Sequence, residues 1–366
     1  MPTDGEGGIG EIKEIEGAGI FPAPFHTTEK TMKMIDTEAK KKYFAQGVEL
    51  FDGDPAKPET CIWRLTESGV HFRLHEIDTG LGGDPVEIVQ ITDIHFNYCN
   101  EKDRENTELQ GTLQNRKWLA DAASVPGCQK AMEYASFFDQ TVITGDTLDY
   151  LSDGAIELMQ KYIWDVDPDV LCAVGGHEFV RQMQTGIKDQ PSFASRWEMV
   201  QKAWKHDITY TSRVVGDKAL VIVLDNNYAT FRESQIEPLR RDLALAREKG
   251  YAVLLFMHET ISTGKEEDRR VKAIHIYDGE YRNFYDNHAC ADSEGATGTV
   301  YRMITENAAL VRGVYVGHHH SAYYSEIDGS YVDENGVRRE KTIPQFVLEG
   351  NPYDKQCGHV LKITVK

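Results

Sequence analysis

Short apolar runs recur along this chain, and most of them end at a cluster of polar residues. Runs of this length, rich in β-branched residues and bounded by turn residues, are typical of buried strands. Six of them predict the core strands: Val86–Ile91, Gln140–Ile143, Val170–Val174, Leu220–Leu224, Tyr251–Phe256 and Leu310–Val316. Helix-compatible stretches lie between them, at Gly127–Phe138, Ile156–Val166, Phe193–His206 and Glu233–Lys249. Strands that alternate with helices indicate an α/β chain built from βαβ units.

The first part of the chain has a weaker pattern. We interpret residues 1–85 as an N-terminal extension and residues 86–366 as the main domain. A helix is predicted from about Asp36 to Gly47. The stretch Gly69–Ile77 alternates like an exposed strand that pairs with the core, so His71 and His75 are expected to face solvent, as is His206. Residues 259–316 carry charges with little periodicity and include a predicted loop insertion.

Charge and composition narrow the function classes. The 366 residues include 59 acidic and 40 basic residues, for a formal charge of -19. This balance disfavours nucleic-acid binding, which begins with a basic surface. No run is long enough for a membrane span, and the start lacks the pattern of a secretory signal. Six dispersed cysteines favour a reduced chain. We therefore expect a cytoplasmic protein without a membrane partner.

The polar clusters at the strand ends carry the candidate chemistry. In open α/β sheets, ligands bind in the crevice beyond the carboxyl ends of the strands, so these clusters are expected to converge. Repeated Asp and His side chains are ligands for Mn, Fe, Zn or Ni more than for Ca or Mg, which prefer oxygen. The clusters are Asp93-Ile94-His95, Gly145-Asp146-Thr147-Leu148-Asp149, Gly176-His177-Glu178, His258 and Gly317-His318-His319-His320.

From about residue 86 to 366, this order of clusters resembles the calcineurin-like metallophosphoesterases. The family pattern is D-x-H, G-D-x-x-D, G-N-H-[DE], a lone His after an apolar strand, and G-H-x-H. The resemblance implies a four-layer sandwich of two mixed β-sheets flanked by helices. It also implies two divalent transition-metal ions. Asp93, His95, Asp146 and His320 would hold the first, and Asp146 would bridge to a second held by His258 and His318.

The resemblance also implies an activity, with 86–366 as the catalytic domain. A metal-activated hydroxide would hydrolyse a phosphate monoester or diester. His177 would contact the phosphate or protonate the leaving oxygen, and Asp149 would orient His177. The expected partner is a small phosphorylated substrate. Tyr150 stands where the protein serine/threonine phosphatases continue their motif with Arg. The sequence leaves the substrate, the native metals and the oligomeric state open.

One position departs from the family pattern. The Asn that precedes the His, normally an amide-oxygen ligand of the second metal, is Gly176 here. The second site is therefore expected to bind its ion more weakly, or to take a substitute ligand from Glu178, Glu259 or Asn97. Three interpretations remain: a looser second site filled with the substrate phosphate, a one-metal enzyme, or a degenerate, non-catalytic metal-binding protein that recognises a partner.

Several residues are candidates for the substrate side of the cleft. Asn97 and Arg116 lie in the polar stretch that follows the first cluster, and Glu178 follows His177. The loop after His258 contributes Arg269, Arg270 and Arg282, any of which could bind phosphate as a bidentate donor. After the strand Leu220–Leu224, Asp225 is expected to be structural, whereas Asn227 could face the cleft.

Overall fold

The computed structural model describes residues 28–29, 34–45, 47–106, 109, 122–180, 193–265, 289–350 and 356–366. Its strands are β1 Thr28–Glu29, β2 Val48–Asp52, β3 Ile62–Leu65, β4 Val70–Ile77, β5 Val86–Ile91, β6 Gln140–Thr144, β7 Leu171–Ala173, β8 Tyr210–Val215, β9 Ala219–Leu224, β10 Ala252–Phe256, β11 Val311–Val316, β12 Tyr323–Ile327, β13 Ser330–Val332, β14 Arg338–Glu340, β15 Ile343–Val347 and β16 Gly358–Val365. Its helices are α1 Thr37–Phe44, α2 Glu101–Arg104, α3 Val125–Ala135, α4 Asp153–Met159, α5 Phe193–Ala203, α6 Ile236–Lys249 and α7 Gly295–Thr305, with a π-helical turn at Gln160–Trp164 after α4.

The strands form two large mixed sheets. In the first sheet the order is β1-β8-β9-β10-β11-β15-β12, with β9, β10, β11 and β15 parallel to one another. In the second sheet the order is β2-β3-β4-β16-β5-β6-β7, and β5, β6 and β7 are parallel. A small separate sheet pairs β13 with β14. In the parallel part of each sheet the strands all end at the same edge.

The two sheets pack face to face, with helices on the outside. Alternate residues of β9 show the layering: Val221 and Val223 join the core between the sheets, whereas Leu220 and Ile222 pack with α6 and α7. Side chains of successive strand residues point to opposite faces, so strands covered on both faces are apolar throughout. Helices α3, α4 and α5 cover the outer face of the second sheet. The predicted class, two mixed sheets flanked by helices, is confirmed.

The strand predicted at Gly69–Ile77 is β4, but its surroundings differ from the prediction. It lies inside the second sheet, between β3 and β16, and His71 and Arg73 are buried. Arg73 donates a hydrogen bond to the carbonyl oxygen of Val347 (3.0 Å), and Nδ1 of His75 lies 2.9 Å from the Tyr315 hydroxyl. The prediction that His71 faces solvent is wrong, because β16 and the first sheet cover this strand.

Strand β7 lies at one edge of the second sheet, and side chains pair with its outer backbone groups. The amide of Cys172 donates to Nε2 of His206 (2.9 Å), and Nε1 of Trp204 donates to the Cys172 carbonyl oxygen (3.1 Å). His206 therefore supports this strand and does not face solvent as predicted. An edge whose backbone groups are already bonded cannot pair with another chain.

None of the helices within the described ranges is both long enough and apolar enough to cross a lipid bilayer.

Candidate metal centre

The predicted ligands lie at the carboxyl ends of four strands that face each other across the two sheets. Asp93 and His95 follow β5 and Asp146 follows β6 in the second sheet. In the first sheet, His258 follows β10, while His318 and His320 follow β11. Because the two sheets align these ends, residues more than 200 positions apart in the chain contact one another.

The first ligand group consists of Asp93, His95, Asp146 and His320. Nε2 of His320 lies 3.0 Å from Oδ1 of Asp93 and 3.0 Å from Nε2 of His95. Nε2 of His95 is 3.7 Å from both Asp93 Oδ1 and Asp146 Oδ2. Ligand atoms about 2.0–2.2 Å from a tetrahedral metal lie roughly 3.3–3.6 Å apart. The observed spacing suits a single transition-metal ion.

The second ligand group consists of Asp146, His258 and His318. Nε2 of His258 lies 3.2 Å from Asp146 Oδ2 and 3.2 Å from Nδ1 of His318. Asp146 belongs to both groups and is buried between them. Its carboxylate is therefore shared by the two ligand groups.

The donor atoms of the first ligand group are arranged around one point, as they would be around a bound cation. Asp93 is fully buried, and its Oδ2 accepts hydrogen bonds from Thr92 Oγ1 (2.7 Å) and the His318 amide (2.9 Å). Its Oδ1 is also buried and lies 3.0 Å from Nε2 of His320 and 3.7 Å from Nε2 of His95. A buried carboxylate needs a positive charge beside it, from a protonated ring or from a cation. That oxygen and the Nε2 atoms of His95 and His320 converge on one point, where a bound cation would satisfy all three.

Most of the ligand residues have left-handed backbone conformations. This region is uncommon for residues other than glycine, and where it occurs at several neighbouring positions it marks a functional site. Five of the six predicted ligands have positive φ: Asp93 (48°), His95 (51°), Asp146 (47°), His318 (70°) and His320 (52°). The backbone therefore turns sharply after β5, β6 and β11, which directs several donor groups toward one place.

The ligand histidines are oriented by hydrogen bonds from the ring nitrogen that points away from the centre. Nδ1 of His258 donates to the carbonyl oxygen of Thr144 (2.8 Å), and Nδ1 of His95 lies 3.2 Å from Oδ1 of Asp149. A carbonyl or carboxylate at Nδ1 fixes the tautomer and leaves the Nε2 lone pair for a metal. In both rings Nε2 is therefore the nitrogen directed toward the ligand groups.

His177 lies at the carboxyl end of the neighbouring strand β7, with its ring partly exposed. Nδ1 donates to the main-chain oxygen of Asp149 (2.8 Å) and lies 3.4 Å from Oδ1 of the same residue. Nε2 is 4.0 Å from Oδ2 of Asp146 and faces the ligand groups. The Asp149 carboxylate is slightly closer to His95 than to His177, so it orients a predicted ligand as well as the predicted acid.

The charges of the centre depend on one another. Burial lowers the pKa of His95, but hydrogen bonds to Asp149 and Asp93 and the charge of Asp146 raise it to about 10. Burial acts in the same direction on His258, yet the Asp146 carboxylate brings its pKa to about 10 as well. The histidines in turn hold the pKa values of Asp93 and Asp146 well below the ordinary value, despite burial. The carboxylates and histidines therefore stabilise each other's charged forms, and metal binding would have to displace protons from the rings.

Asn97, a predicted substrate-side residue, is buried behind the ligands. Its Nδ2 donates to Oδ2 of Asp149 (2.8 Å), and its Oδ1 accepts from the hydroxyl of Tyr150 (3.0 Å). The amide is therefore used on both sides to hold Asp149 in place. The structure gives Asn97 a supporting position and does not bring it to the cleft.

Glu178 is also turned away from the ligand groups. Its carboxylate accepts from the amides of Thr147 (2.6 Å), Leu148 (3.2 Å) and Gly175 (2.7 Å), and the side chain is fully buried. Burial and the nearby Asp146 raise its pKa to about 7. The structure places this carboxylate as a brace between the two loops that follow β6 and β7.

Glu259, the other acidic substitute considered for the second site, is engaged in the same way. Its two carboxylate oxygens accept from the amides of Tyr228 (2.7 Å) and Ala229 (2.8 Å). Four further predicted candidates, Arg116, Arg269, Arg270 and Arg282, lie outside the described residues.

Two consecutive glycines at the end of β7 differ sharply in the space around them. A Cβ on Gly175 would lie 2.1 Å from Oδ1 of Asp146, so only glycine fits beside the bridging carboxylate. A Cβ on Gly176 would meet no atom within 4 Å, and its φ of -66° is available to every residue. The backbone conformation and the surrounding space would therefore allow a side chain at position 176.

The sequence did not reveal two residues that support the ligands. Thr92 binds the carboxylate of Asp93, and Oδ1 of Asn226 accepts from the amides of His258 (3.1 Å) and Glu259 (3.0 Å). Thr92 directly follows β5 and Asn226 lies two residues after β9, and this closeness to a strand end was the available signal. A Thr or Asn at such a place is common in any turn, so the signal did not single them out.

No family model matches the chain, and no curated protein matches it. Solved structures with low similarity include a purple acid phosphatase from yellow lupin (Lupinus luteus) seeds, at 11% identity and a TM-score of 0.44, where the match covers 87% of this chain and 66% of the lupin protein. A dimetal phosphatase from Danio rerio matches at 14% identity and a TM-score of 0.41, over 76% of this chain and 92% of that one. A calcineurin-like phosphoesterase from Bacillus subtilis matches at 12% identity and a TM-score of 0.31, over 65% and 73%. Since each likeness is weak, the function proposed next rests on the side chains of the site.

Proposed function

We propose that this protein is a metal-dependent phosphoesterase that hydrolyses a monoester or diester of a small phosphorylated substrate. The observation that supports this most is the shared carboxylate of Asp146, which joins two transition-metal ligand groups at one cleft. When bound, two such ions neutralise phosphate charge and lower the pKa of water so that hydroxide attacks. That local positive charge suits a chain whose formal charge is -19.

The protein residues have separate parts in this proposal. Asp93, His95 and His320 would hold one ion, His258 and His318 the other, and Asp146 both. His177 would protonate the leaving oxygen from Nε2, because its Nδ1 proton is already donated to the main-chain oxygen of Asp149. The Asp149 carboxylate stabilises the charge on a doubly protonated ring. No side-chain nucleophile is required.

The test is a panel of phosphate monoesters and diesters assayed with Mn, Zn, Fe, Ni and Mg. We expect turnover of at least one ester with a transition metal. In His177→Ala turnover should fall most for esters with poor leaving groups, while the metal stays bound. The competing proposal, a non-catalytic metal-binding protein that recognises a partner, draws on Gly176, where a ligand of the family pattern is missing. Full metal occupancy without turnover of any ester would favour that alternative.

A further inference from the structure

The ligand-bearing strand ends occur in facing pairs, one from each sheet. The ends of β11 and β5 meet where the His318 amide donates to Asp93 (2.9 Å), and those of β10 and β6 meet where His258 contacts Asp146 (3.2 Å). The strand orders place a third pair, β9 and β7, next in line. This third pair borders the second ligand group on the side away from Asp93.

The third pair meets through Asn227, two residues after Asp225 at the end of β9. Its Nδ2 donates to the carbonyl oxygen of Val174 (3.1 Å), which is two residues before Gly176. The preceding Asn226 binds the amide of His258, and the amide of Tyr228 is bound by Glu259. Asn227 therefore lies between the loop that contains Gly176 and the end of β10 that carries a ligand of the second group.

Within the described part of the chain, the amide oxygen of Asn227 has no hydrogen-bond partner. The side chain is 3% exposed, and Nδ2 donates to Val174 and to Oδ1 of Asp225 (2.9 Å), which fixes the orientation of the amide. The amide oxygen Oδ1 is buried and accepts no hydrogen bond from the described residues. Leaving such a group unsatisfied costs about 1–3 kcal/mol. A cation or an ordered water held against Oδ1 would remove that cost.

The side-chain oxygens of the other substitute ligands considered for the second site already accept hydrogen bonds. Glu178 and Glu259 each accept two or more backbone amides, and Asn97 is hydrogen-bonded through both its amide nitrogen and its oxygen. Asn227 thus offers a free neutral amide oxygen, the same chemical group that a side chain at Gly176 would have supplied, from the opposite sheet.

We propose that Oδ1 of Asn227 completes the second metal site in place of the side chain missing at Gly176, either directly or through one ordered water. The inference rests on the metal centre of the proposed function. It extends that centre to the facing ends of β7 and β9. In this proposal the ligand absent at Gly176 is replaced by one from the opposite sheet.

The test is calorimetric titration of the apoprotein with Zn²⁺ alone, for a cycle of variants at positions 227 and 176. We expect Asn227→Ala to weaken the second ion by about 10- to 100-fold and to leave the first unchanged. Adding Gly176→Asn to Asn227→Ala should recover most of this loss, whereas Gly176→Ala should recover none. The two positions are then coupled, as expected for groups that serve one ligand.

The single variant Gly176→Asn, compared with wild type, gives a second measurement of Zn²⁺ affinity. This measurement does not depend on the stability of Asn227→Ala. If Asn227 already supplies the ligand, Gly176→Asn should change the affinity of the second ion by less than about threefold, which is under 1 kcal/mol. A gain of tenfold or more in wild type, or equal gains in both backgrounds, would overturn the inference. If wild type binds no Zn²⁺, the metal centre itself is refuted, which is a separate result.

Discussion

The two halves of the metal centre use the same kinds of side chain but are supported differently. In the first group, Asp93 is fully buried and doubly hydrogen-bonded at Oδ2, and His95 is held by Asp149. In the second group, His258 is equally buried, but His318 is exposed and the neighbouring Gly176 has no side chain. Similar donor atoms can therefore form one enclosed site and one open site.

The difference shows what each site is suited to do. An enclosed site with fixed ligands favours tight, permanent binding, because little has to be reorganised when the ion enters. An open site leaves room for water and for an incoming phosphate oxygen, which catalytic metals require. We therefore expect the first ion to be the structural anchor and the second to be the one that exchanges and contacts substrate.

The bridging carboxylate gives the largest expected effect. Asp146→Asn should release both ions and lower turnover by about 10⁴-fold, if each ion contributes about 100-fold. His258→Ala should release one ion and cost about 100-fold. Metal content per chain and kcat of the same preparations measure both. Loss of equal amounts of metal in the two variants would remove the distinction between a bridge and a single-site ligand.

Replacing His177, the proposed general acid, should reduce turnover without reducing metal binding. His177→Ala should lower kcat by about 10²- to 10³-fold for esters with poor leaving groups, and much less for nitrophenyl esters, whose leaving oxygen needs no proton. Both ions should stay bound, since His177 belongs to neither of the two ligand groups that share Asp146. If metal content falls together with kcat, His177 belongs to the ligand set and the role assigned to it is wrong.

The space around the second site can be tested by replacing each of two adjacent glycines, Gly175 and Gly176, with alanine. Gly175→Ala should displace Asp146 and lower the free energy of unfolding by about 3 kcal/mol, because its Cβ would overlap the carboxylate. Gly176→Ala should change it by less than about 0.5 kcal/mol. Urea unfolding of both variants, with and without metal, gives the comparison. Equal losses would mean that the space at Gly176 is not open.

The smallest expected effect is on the free energy of unfolding, through His206, which supports strand β7. Burial lowers the pKa of His206 to about 4, below its ordinary value, so protonation favours the unfolded chain. The stability from neutral His206 is complete above about pH 6.5 and is lost as the pH falls toward 4. His258 and His95, whose pKa values are raised, do not change their contributions in this window.

Replacing His206 with Gln keeps an acceptor for the Cys172 amide and removes the titration. Wild type should lose about 2 kcal/mol more than His206→Gln between pH 7.5 and pH 5. Urea unfolding at the two pH values measures this difference. The same pH dependence in both proteins would show that His206 does not titrate in this range.

The strands and the ligand clusters were predictable because both depend on local sequence. An apolar run that ends in Asp or His gives the strand, its end and the ligand together, and parallel strands bring such ends to one edge. The surroundings of β4 were not predictable. Its His and Arg residues look like a solvated face, but β16, almost 300 residues later in the chain, and the opposite sheet cover them.

The roles of polar residues beside the ligands were less predictable for the same reason. Glu178 follows a predicted catalytic histidine in sequence, yet its carboxylate is directed to amides of the loop after β6. Asn97 likewise points to Asp149, about 50 residues away. A side chain next to a functional residue can face either the cleft or the loops behind it, and only the packing of distant segments decides which.

The position of β16 in the second sheet has a consequence for synthesis of the protein. This strand lies between β4 and β5. It pairs with β4 over its whole length and with β5 from Leu361 to Val365. A ribosome that has translated residues 1–350 has therefore released β4 and β5 without the strand that joins them. Until Val365 has left the exit tunnel, those two strands expose backbone edges to other chains. We expect the protein to aggregate if translation stops shortly before β16.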